Sequence, residues 1–356
     1  MQGYLLQLQE LLEETYKAQA SDLHLSVGDY PTIRVQGALI PLVKRKILTA
    51  EDTQGFATAL MTEDQVQRFL KEKELDFSYS FEEKSRFRVN AYFQRGTISV
   101  ALRIIPSKIR TIEELGLPSI LHEFCTPSQG FVLVTGPSGH GKSTTLASMI
   151  DEINKTRTDH IITIEDPIEY IFKNDKALVD QREVYQDTMS FSKALKSTFR
   201  QDPDVIMVGE MRDLETMATA ITAAETGHLV FATLHTNNAA QTIYRIVDSF
   251  PSEQQSQIRN QLAGSLLGII SQRLVPGLRG GLVPACEIMF NNAATANLIR
   301  ENKIHEIDLV IETSSDSGMV SLNRALATLV KKRLVSLESA LMYSLNADEL
   351  NILVKR

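Results

Sequence analysis

The stretch FVLVTGPSGHGKSTTLAS, from Phe131 to Ser148, decides the fold of this 356-residue chain. A continuous apolar run is followed by a glycine-rich turn and then by a helical pattern, which predicts a buried strand, a loop and a helix. The turn satisfies the phosphate-loop pattern G-x-x-x-x-G-K-[ST]. An ordinary strand–turn–helix corner is the alternative, but both flanks argue against it. The stretch therefore predicts a site for the phosphates of a nucleotide.

Each residue type in this loop has a physical role. Glycines admit backbone conformations that other residues resist, and the start of the helix presents its positive end to an anion. Lys142 is expected to reach the β- and γ-phosphates, and the Ser143 hydroxyl is expected to bind Mg²⁺. The predicted cofactors are therefore ATP and Mg²⁺. The predicted cofactor-binding residues are Gly136, Pro137, Ser138, Gly139, His140, Gly141, Lys142, Ser143 and Thr144.

Composition limits the class of protein. With 43% hydrophobic and 23% charged residues, the chain is typical of a globular protein long enough for two domains. Its formal net charge of −7 argues against a large nucleic-acid footprint, although a local basic groove remains open. Cys125 and Cys286 are too few and too far apart for a four-cysteine zinc site. They predict a reducing compartment and buried, apolar roles for both thiols.

The N-terminal segment carries acidic residues and has no signal-peptide pattern. Nowhere does an apolar run approach the roughly 20 residues that span a bilayer. We therefore expect a cytoplasmic protein without a transmembrane segment, one that is able to dock on a membrane machine.

Residues 1–105 predict a small α+β domain. An amphipathic helix comes first, and an alternating segment from Ala20 to Gly37 predicts two strands. A helical stretch follows over about residues 50–73. The segments Arg86–Phe93 and Ile98–Ile105 then predict a hairpin.

Arginines lie on one face of this hairpin. Arg86 and Arg88 alternate with apolar residues, and Arg103 lies opposite the apolar side of the second strand. Taken alone, this spacing favours a solvated face. The predicted ATP site lacks an evident arginine of its own, so these side chains remain candidates for contacts with phosphate.

Residues 106–120 contain prolines, a glycine and mixed charge, and they predict an interdomain connection. Residues 121–356 then alternate apolar runs with helical patterns, which predicts a mostly parallel sheet with helices on both faces. From about residue 252 onward the pattern is predominantly helical, including Glu253–Gln272, and glycines near 277–281 predict a loop. The apolar runs are Phe131–Thr135, His160–Ile164, Asp204–Val208 and His228–Leu234.

Polar residues follow three of these strands, at the edge where parallel sheets bind ligands. Glu165, with Asp166 and Glu169 beyond it, is a catalytic candidate that orients the waters of a metal ion or polarises the nucleophile. A simple turn is the alternative. Glu210 is the candidate base that activates water. A glycine occupies the preceding position, where an aspartate is common, so Mg²⁺ is expected to depend on Ser143 and on other carboxylates or waters. His235 is either a structural histidine or a group that senses the γ-phosphate or relays between subunits.

Taken in order, the segments GPSGHGKST, IITIEDPIEY, VGEMRD and GHLVFATLHTNNA resemble the four motifs of the secretion and type IV pilus motor ATPases. The resemblance covers nearly the whole chain, and ASDLHLSVG and RFRVNAYFQRG are similar to the N-terminal domain of that family. The segment ANLIRE is most similar to the twitching-motility retraction ATPases.

This resemblance implies an α/β fold, with a RecA-like P-loop NTPase domain, a smaller PAS-like α+β N-terminal domain and a helical C-terminal region. It implies a homohexamer with nucleotide sites between subunits. Arg88 and Arg103 would reach the phosphates, with Arg86 and Arg95 as weaker candidates. It also implies a motor that hydrolyses ATP to retract pili and works at the inner membrane with a platform protein and a retraction ATPase paralogue.

Other functions remain open at this point. ATANLIRE departs from the usual AIRNLIRE, and the C-terminal segment resembles the accessory retraction paralogue. Assembly and type II secretion ATPases are less favoured because their tetracysteine motif is missing. A hexameric nucleic-acid translocase would need a basic channel with aromatic residues, which this acidic chain does not indicate. A scaffold that binds ATP without turnover would lack the base, whereas Glu210 is present.

Overall fold

The computed structural model describes residues 2–35, 37–82, 85–105 and 108–355. The chain divides into two compact units, which are described separately. The first comprises Met1–Lys108 and Pro167–Ile171, and the second comprises Ile109–Asp166 and Phe172–Arg356. Within the described ranges, no helix combines the length and the apolar character needed to cross a membrane. Pro106 and Ser107, which begin the predicted connection, lie outside the described residues.

The first unit contains an antiparallel sheet of six strands in the order β3-β2-β1-β6-β5-β4. Its elements are α1 (Gln2–Lys17), β1 (Asp22–Leu25), β2 (Thr32–Val35), β3 (Ala38–Pro41), α2 (Ala50–Leu60), α3 (Glu63–Glu72), β4 (Glu74–Phe81), β5 (Ser85–Gln94) and β6 (Thr97–Ile105).

The predicted strand alternation is found in β5, where Phe87, Val89 and Ala91 are buried in the core of this unit. The predicted single helical stretch over 50–73 consists of two helices. Thr49 and Thr62 each begin one helix with a capping box, in which the side chain accepts a hydrogen bond from the backbone three residues later. The strands β3 and β4 were not predicted.

The second unit contains a sheet of seven strands in the order β13-β12-β7-β11-β10-β8-β9. Its first elements are β7 (Gly130–Thr135), α4 (Lys142–Thr156), β8 (His160–Glu165), β9 (Leu178–Glu183), α5 (Phe191–Thr198), β10 (Val205–Val208), α6 (Leu214–Glu225), β11 (Leu229–Leu234) and α7 (Ala239–Asp248). The later elements are α8 (Ser252–Ser265), β12 (Leu266–Pro276), β13 (Leu282–Phe290), α9 (Ala293–Arg300), α10 (Ile307–Thr313), α11 (Leu322–Lys331), α12 (Leu337–Tyr343) and α13 (Ala347–Lys355).

Strand pairing explains where the loops of this unit lie. The strands β7, β11, β10 and β8 are adjacent and parallel, so the loops that follow them meet at one edge of the sheet. Strands β7, β10 and β11 are buried throughout, and β8 is buried except at His160, as expected for strands covered on both faces. The mixed α/β fold predicted from the alternating pattern is confirmed.

The prediction of a helix over Glu253–Gln272 is wrong beyond Ser265. Residues 266–276 form β12, which pairs in parallel with β7 and antiparallel with β13. A short apolar run is compatible with either state, and here the two neighbouring strands stabilise the extended one. Gly277, Gly280 and Gly281 lie at the turn between β12 and β13. The two cysteines are buried and free, as expected.

Candidate functional site

The phosphate loop has the backbone that its glycines predict. Gly136, Gly139 and Gly141 have φ angles of +145°, +78° and +80°, a region that favours glycine. A Cβ atom at Gly136 would lie 2.4 Å from the carbonyl oxygen of Gln272, so a larger residue cannot be accommodated there. The helix α4 begins directly after the loop without a side-chain cap. Its first N–H groups therefore point to the loop, which fits an anion such as a phosphate.

Lys142 is folded back onto this loop. Its Nζ donates hydrogen bonds to the carbonyl oxygens of Gly136 and Pro137, at 2.8 Å and 3.0 Å, and only 8% of the residue is exposed. The same nitrogen lies 3.2 Å from Nδ1 of His235. The ammonium group is therefore held inside the loop, whereas Ser143 in the first turn of α4 is exposed.

Glu210 and His235 meet at the neighbouring strand ends. They follow β10 and β11, and Oε1 of Glu210 lies 3.1 Å from Nε2 of His235. The other carboxylate oxygen of Glu210 accepts a hydrogen bond of 2.9 Å from Arg212, which also contacts Asp166. Ser138 Oγ lies 3.4 Å from His235 Nδ1. Polar contacts through the His235 ring thus join the predicted base, Glu210, to Ser138 and Lys142 of the phosphate loop.

Glu165 occupies the end of β8 and is buried, with 8% exposed. Its Oε1 accepts hydrogen bonds from Thr163 Oγ1 at 2.7 Å and from Gln181 Nε2 at 3.1 Å. These contacts fix the carboxylate in one orientation. Its predicted role with the waters of a metal ion stays a prediction.

Gly209 occupies the position, directly before the candidate base, where an aspartate is common. Its N–H donates a hydrogen bond of 2.8 Å to the carbonyl oxygen of Ile164, and a Cβ atom would lie 3.1 Å from that same oxygen. The close approach of the two strand ends therefore leaves little space for a side chain at position 209.

The candidate arginines lie on the sheet of the first unit. Arg88 and Arg103 are directly opposite each other on β5 and β6. Arg88 contacts Glu169 at 3.3 Å, and Arg103 donates a hydrogen bond of 2.8 Å to Asp22. Burial alone would raise the pKa of Asp22, but hydrogen bonds from Ser21 and Arg103 outweigh it and lower this pKa.

The two weaker candidates differ from this pair. Arg86 donates a hydrogen bond of 3.0 Å to the carbonyl oxygen of Ile168 and also contacts Ser78 and Ser80. Arg95 lies in the turn between β5 and β6 with a φ angle of +49°. For all four arginines, a contact with phosphate stays a prediction.

Sequence reasoning missed two residues of β12 that brace the site. Gln272 accepts a hydrogen bond of 2.7 Å from Thr145 and donates one of 2.8 Å to the carbonyl oxygen of His140. Arg273 contacts Asn237, two positions beyond His235. Because this segment was assigned to a helix, its alternation of faces along a strand was not considered.

His228, at the other end of β11, has a structural environment. Its Nδ1 lies 2.9 Å from the carbonyl oxygen of Ala223, and its ring packs edge-on against Phe199. It is therefore remote from the strand ends that carry Glu210 and His235.

The sequence profile of the family described as type II/IV secretion system proteins matches residues 4–337. The chain belongs to this family. A relative within it, the type IV pilus retraction ATPase PilT of Pseudomonas aeruginosa, is 47% identical, with 94% of this chain and 97% of the relative covered. The type IV pilus ATPase PilU of the same organism is 40% identical, with coverage of 98% and 92%.

A solved structure supports the same family membership. The crystal structure of the pilus retraction motor PilT with bound ADP is similar with a TM-score of 0.89 and 48% identity. It covers 97% of this chain, and this chain covers 98% of it. The resemblance to secretion and pilus retraction ATPases that was inferred from the four motifs is thus confirmed, as is the fold class.

Proposed function

We propose that this protein is a homohexameric motor that hydrolyses ATP to retract type IV pili and drive twitching motility. It is an ATPase of the type II/IV secretion family, similar over nearly its whole length to the pilus retraction ATPase of P. aeruginosa. The observation that carries the proposal is that His235 contacts both Lys142 and Glu210. These contacts place a cation and a candidate base beside one phosphate loop.

The loop and helix α4 are proposed to bind the nucleotide. Backbone N–H groups of residues 136 and 138–144 would surround the phosphates, because the positive φ angles of the glycines turn them toward one point. Lys142 already holds its ammonium group inside the loop. Phosphate oxygens would therefore replace the carbonyl oxygens of Gly136 and Pro137 as its acceptors without a large movement of the side chain.

Glu210 is proposed as the group that orients and deprotonates the attacking water. Its carboxylate is fixed from both sides, by His235 and by Arg212, so that little reorientation is needed before proton transfer. His235 would report the presence of the γ-phosphate to Glu210, since one ring nitrogen faces Lys142 and the other faces the carboxylate.

The exposed Ser143 hydroxyl fits a Mg²⁺ site, because this cation prefers oxygen ligands and usually keeps several waters. Glu165 would hold one of those waters, its carboxylate being fixed by Thr163 and Gln181. When bound, Mg²⁺ supplies charge neutralisation at the β- and γ-phosphate oxygens.

Arg88 and Arg103 are proposed as the charge clamp for the nucleotide of a neighbouring subunit. Guanidinium groups suit phosphate oxygens because they donate paired hydrogen bonds. Arg88 contacts Glu169 and Arg103 contacts Asp22. When a nucleotide binds, its phosphate oxygens would replace these carboxylates as the partners of the two arginines. In this proposal residues 1–105 are the clamp domain, 106–120 the linker and 121–356 the ATPase domain.

The proposed setting is the cytoplasmic face of the inner membrane, with the pilus platform protein as partner and a retraction ATPase paralogue beside it. An accessory role of the PilU type is the second candidate. The similarity to PilU over 98% of this chain favours it.

Deletion of the gene in its host, with pilus retraction scored, tests the proposal. Loss of retraction that is restored by the wild-type gene, but not by a Glu210→Gln gene, is the expected result. Retraction that persists unchanged in the deletion strain would contradict the main role. Loss that appears only together with deletion of a second retraction ATPase would support the accessory role.

A further inference from the structure

Arg273 lies between two loops of the site although it was not among the predicted site residues. It is on β12, two strands away from β11, and 6% of the residue is exposed. Its NH2 group donates hydrogen bonds to Asn237, to the carbonyl oxygen at 3.0 Å and to Oδ1 at 2.9 Å. One guanidinium nitrogen therefore holds both the backbone and the side chain of the loop that follows β11.

The second terminal nitrogen of Arg273 faces the phosphate loop. NH1 donates a hydrogen bond of 3.1 Å to the carbonyl oxygen of Gln272, the atom that excludes a side chain at Gly136. NH1 itself lies 3.5 Å from the position that a Cβ atom of Gly136 would occupy. Because the carbonyl oxygen of Gly136 accepts a hydrogen bond from Lys142, the guanidinium lies beside the residue that holds Lys142.

The loop held in this way begins with His235. Besides the contacts of the His235 ring with Ser138, Lys142 and Glu210, the loop makes local hydrogen bonds. Asn237 N donates to Gln241, and Thr236 contacts Thr242. Asn237 is exposed, so its side chain would otherwise be free to exchange partners with water. Arg273 thus links Asn237 of this loop to strand β12.

Glu287 completes the arrangement on the neighbouring strand β13. It is 5% exposed, and its Oε1 accepts a hydrogen bond of 2.8 Å from Ala239 N, the first residue of α7. The carboxylate also interacts electrostatically with Arg273. Together, β12 and β13 hold both the exposed loop and the helix start that follow β11.

We propose that Arg273 is a positioning residue that fixes the loop of residues 235–238 against the phosphate loop, so that His235 stays between Lys142 and Glu210. The expected loss of turnover when Arg273 is replaced rests on the proposed ATPase function. The expected loosening of the loop of residues 235–238 does not depend on that function.

The planar guanidinium is suited to this role. It offers fixed, paired donors, whereas a lysine ammonium is a point charge on a flexible stem. A buried cation without partners is unfavourable, so the contacts with Asn237 and Gln272 are retained once the strand has formed. Displacement of a group by about 1 Å can lower a rate by about 100-fold, which makes small movements of His235 measurable.

The test uses Arg273→Met and Arg273→Lys in the full chain, with Arg157→Met as the matched control. Arg157 also holds backbone carbonyl oxygens, those of Cys125 and Pro127, at the opposite end of α4. Removing it therefore disturbs the structure in a similar way without touching the site. Urea denaturation of each variant checks that all are folded under assay conditions.

Steady-state ATP hydrolysis is the first readout. Arg273→Met is expected to lower kcat by about 100-fold while the KM for ATP changes by less than about threefold. The kcat of Arg273→Lys is expected to lie between those of Arg273→Met and the wild type. Arg157→Met is expected to keep the wild-type kcat. Wild-type kcat in Arg273→Met, or an equal loss in Arg157→Met, would overturn the proposal.

Hydrogen–deuterium exchange of the peptide spanning 235–241 is the second readout, and it needs no turnover. Faster exchange there in Arg273→Met, with unchanged exchange in Arg157→Met, is expected. Unchanged exchange in both variants would overturn the proposal whatever the kinetics. If the wild type hydrolyses no ATP, the proposed function fails, while the exchange result still supports or overturns the positioning of the loop.

Discussion

Glu210 and His235 form a carboxylate–imidazole contact of 3.1 Å at the ends of two adjacent parallel strands. The second ring nitrogen of His235 lies 3.2 Å from the phosphate-loop amine of Lys142. The imidazole is therefore in contact with the predicted base on one side and with the phosphate-binding group on the other. In the proposed function, a change at the γ-phosphate position would be transmitted to Glu210 through this one side chain.

Replacement of Lys142 by Ala removes the only side-chain cation that we assign to the loop. A charge-assisted hydrogen bond contributes about 1.5–3 kcal/mol, so ATP binding is expected to weaken by roughly 10- to 100-fold and turnover to fall with it. Fluorescent-nucleotide titration and phosphate release measure the two effects. Lys155→Ala, at the far end of α4 in an exposed pair with Asp151, is the control and should bind ATP normally.

Replacement of Arg88 or Arg103 by Ala is expected to slow hydrolysis by about 1,000-fold or more, because an arginine that neutralises a phosphoryl group in its transition state contributes roughly 10³- to 10⁵-fold. Oligomers should persist in size-exclusion chromatography. Arg68→Ala is the control, because Arg68 makes an i,i+4 pair with Glu72 on α3. Normal hydrolysis in both single variants would refute the clamp.

Replacement of Gly209 by Ala is expected to lower the free energy of unfolding by about 1–3 kcal/mol, since a Cβ atom would crowd the carbonyl oxygen of Ile164 at 3.1 Å. Gly209→Asp should be less stable still. Gly264→Ala in α8 is the control. Among the described residues outside its own stretch of helix backbone, no atom lies within 4 Å of its added Cβ. Ala is preferred over Gly in helices by up to about 1 kcal/mol. Urea denaturation distinguishes these outcomes.

The stability of the protein should depend on pH through Glu287. Burial raises its pKa from 4.5 to about 7, the carboxylate of Asp308 adds to this, and Arg273 opposes it. A folded-state pKa above the unfolded value means that the folded state binds more protons. This contribution is therefore fully present below about pH 4.5 and is lost as the pH rises through 7.

The side chain of Glu287→Gln cannot lose a proton. As the pH rises from 5 to 8, the free energy of unfolding of the wild type should therefore fall relative to that of Glu287→Gln. A raised pKa of this size corresponds to a shift of a few kcal/mol. Glu253→Gln, at an exposed position in α8, should show no such shift. Parallel pH curves for wild type and Glu287→Gln would refute the prediction.

The sequence predicted those parts of the site that depend on local patterns. The apolar run before Gly136 and the helical pattern after Gly141 specify β7, the loop and the start of α4. The order of Glu165, Glu210 and His235 along the chain was sufficient to place them at one sheet edge, because consecutive parallel strands carry their loops on the same side.

The sequence did not predict features that depend on distant pairing. The segment of β12 is extended because it adds to β7, more than 100 residues earlier in the chain, and pairs with β13. Gln272 and Arg273 were missed for this reason. The contacts of Arg88 and Arg103 with Glu169 and Asp22 could not be predicted either, since spacing along a strand does not reveal which acidic side chain lies opposite.

The most direct test of the account measures ATP binding and phosphate release on one preparation of Glu210→Gln. The amide keeps the size of the carboxylate but cannot accept the proton of water. We expect wild-type affinity for ATP within about twofold and phosphate release lowered by roughly 100- to 10,000-fold. Glu215→Gln, an exposed carboxylate paired with Lys196, should match the wild type in both. Wild-type phosphate release by Glu210→Gln would contradict the assignment of Glu210 as the base.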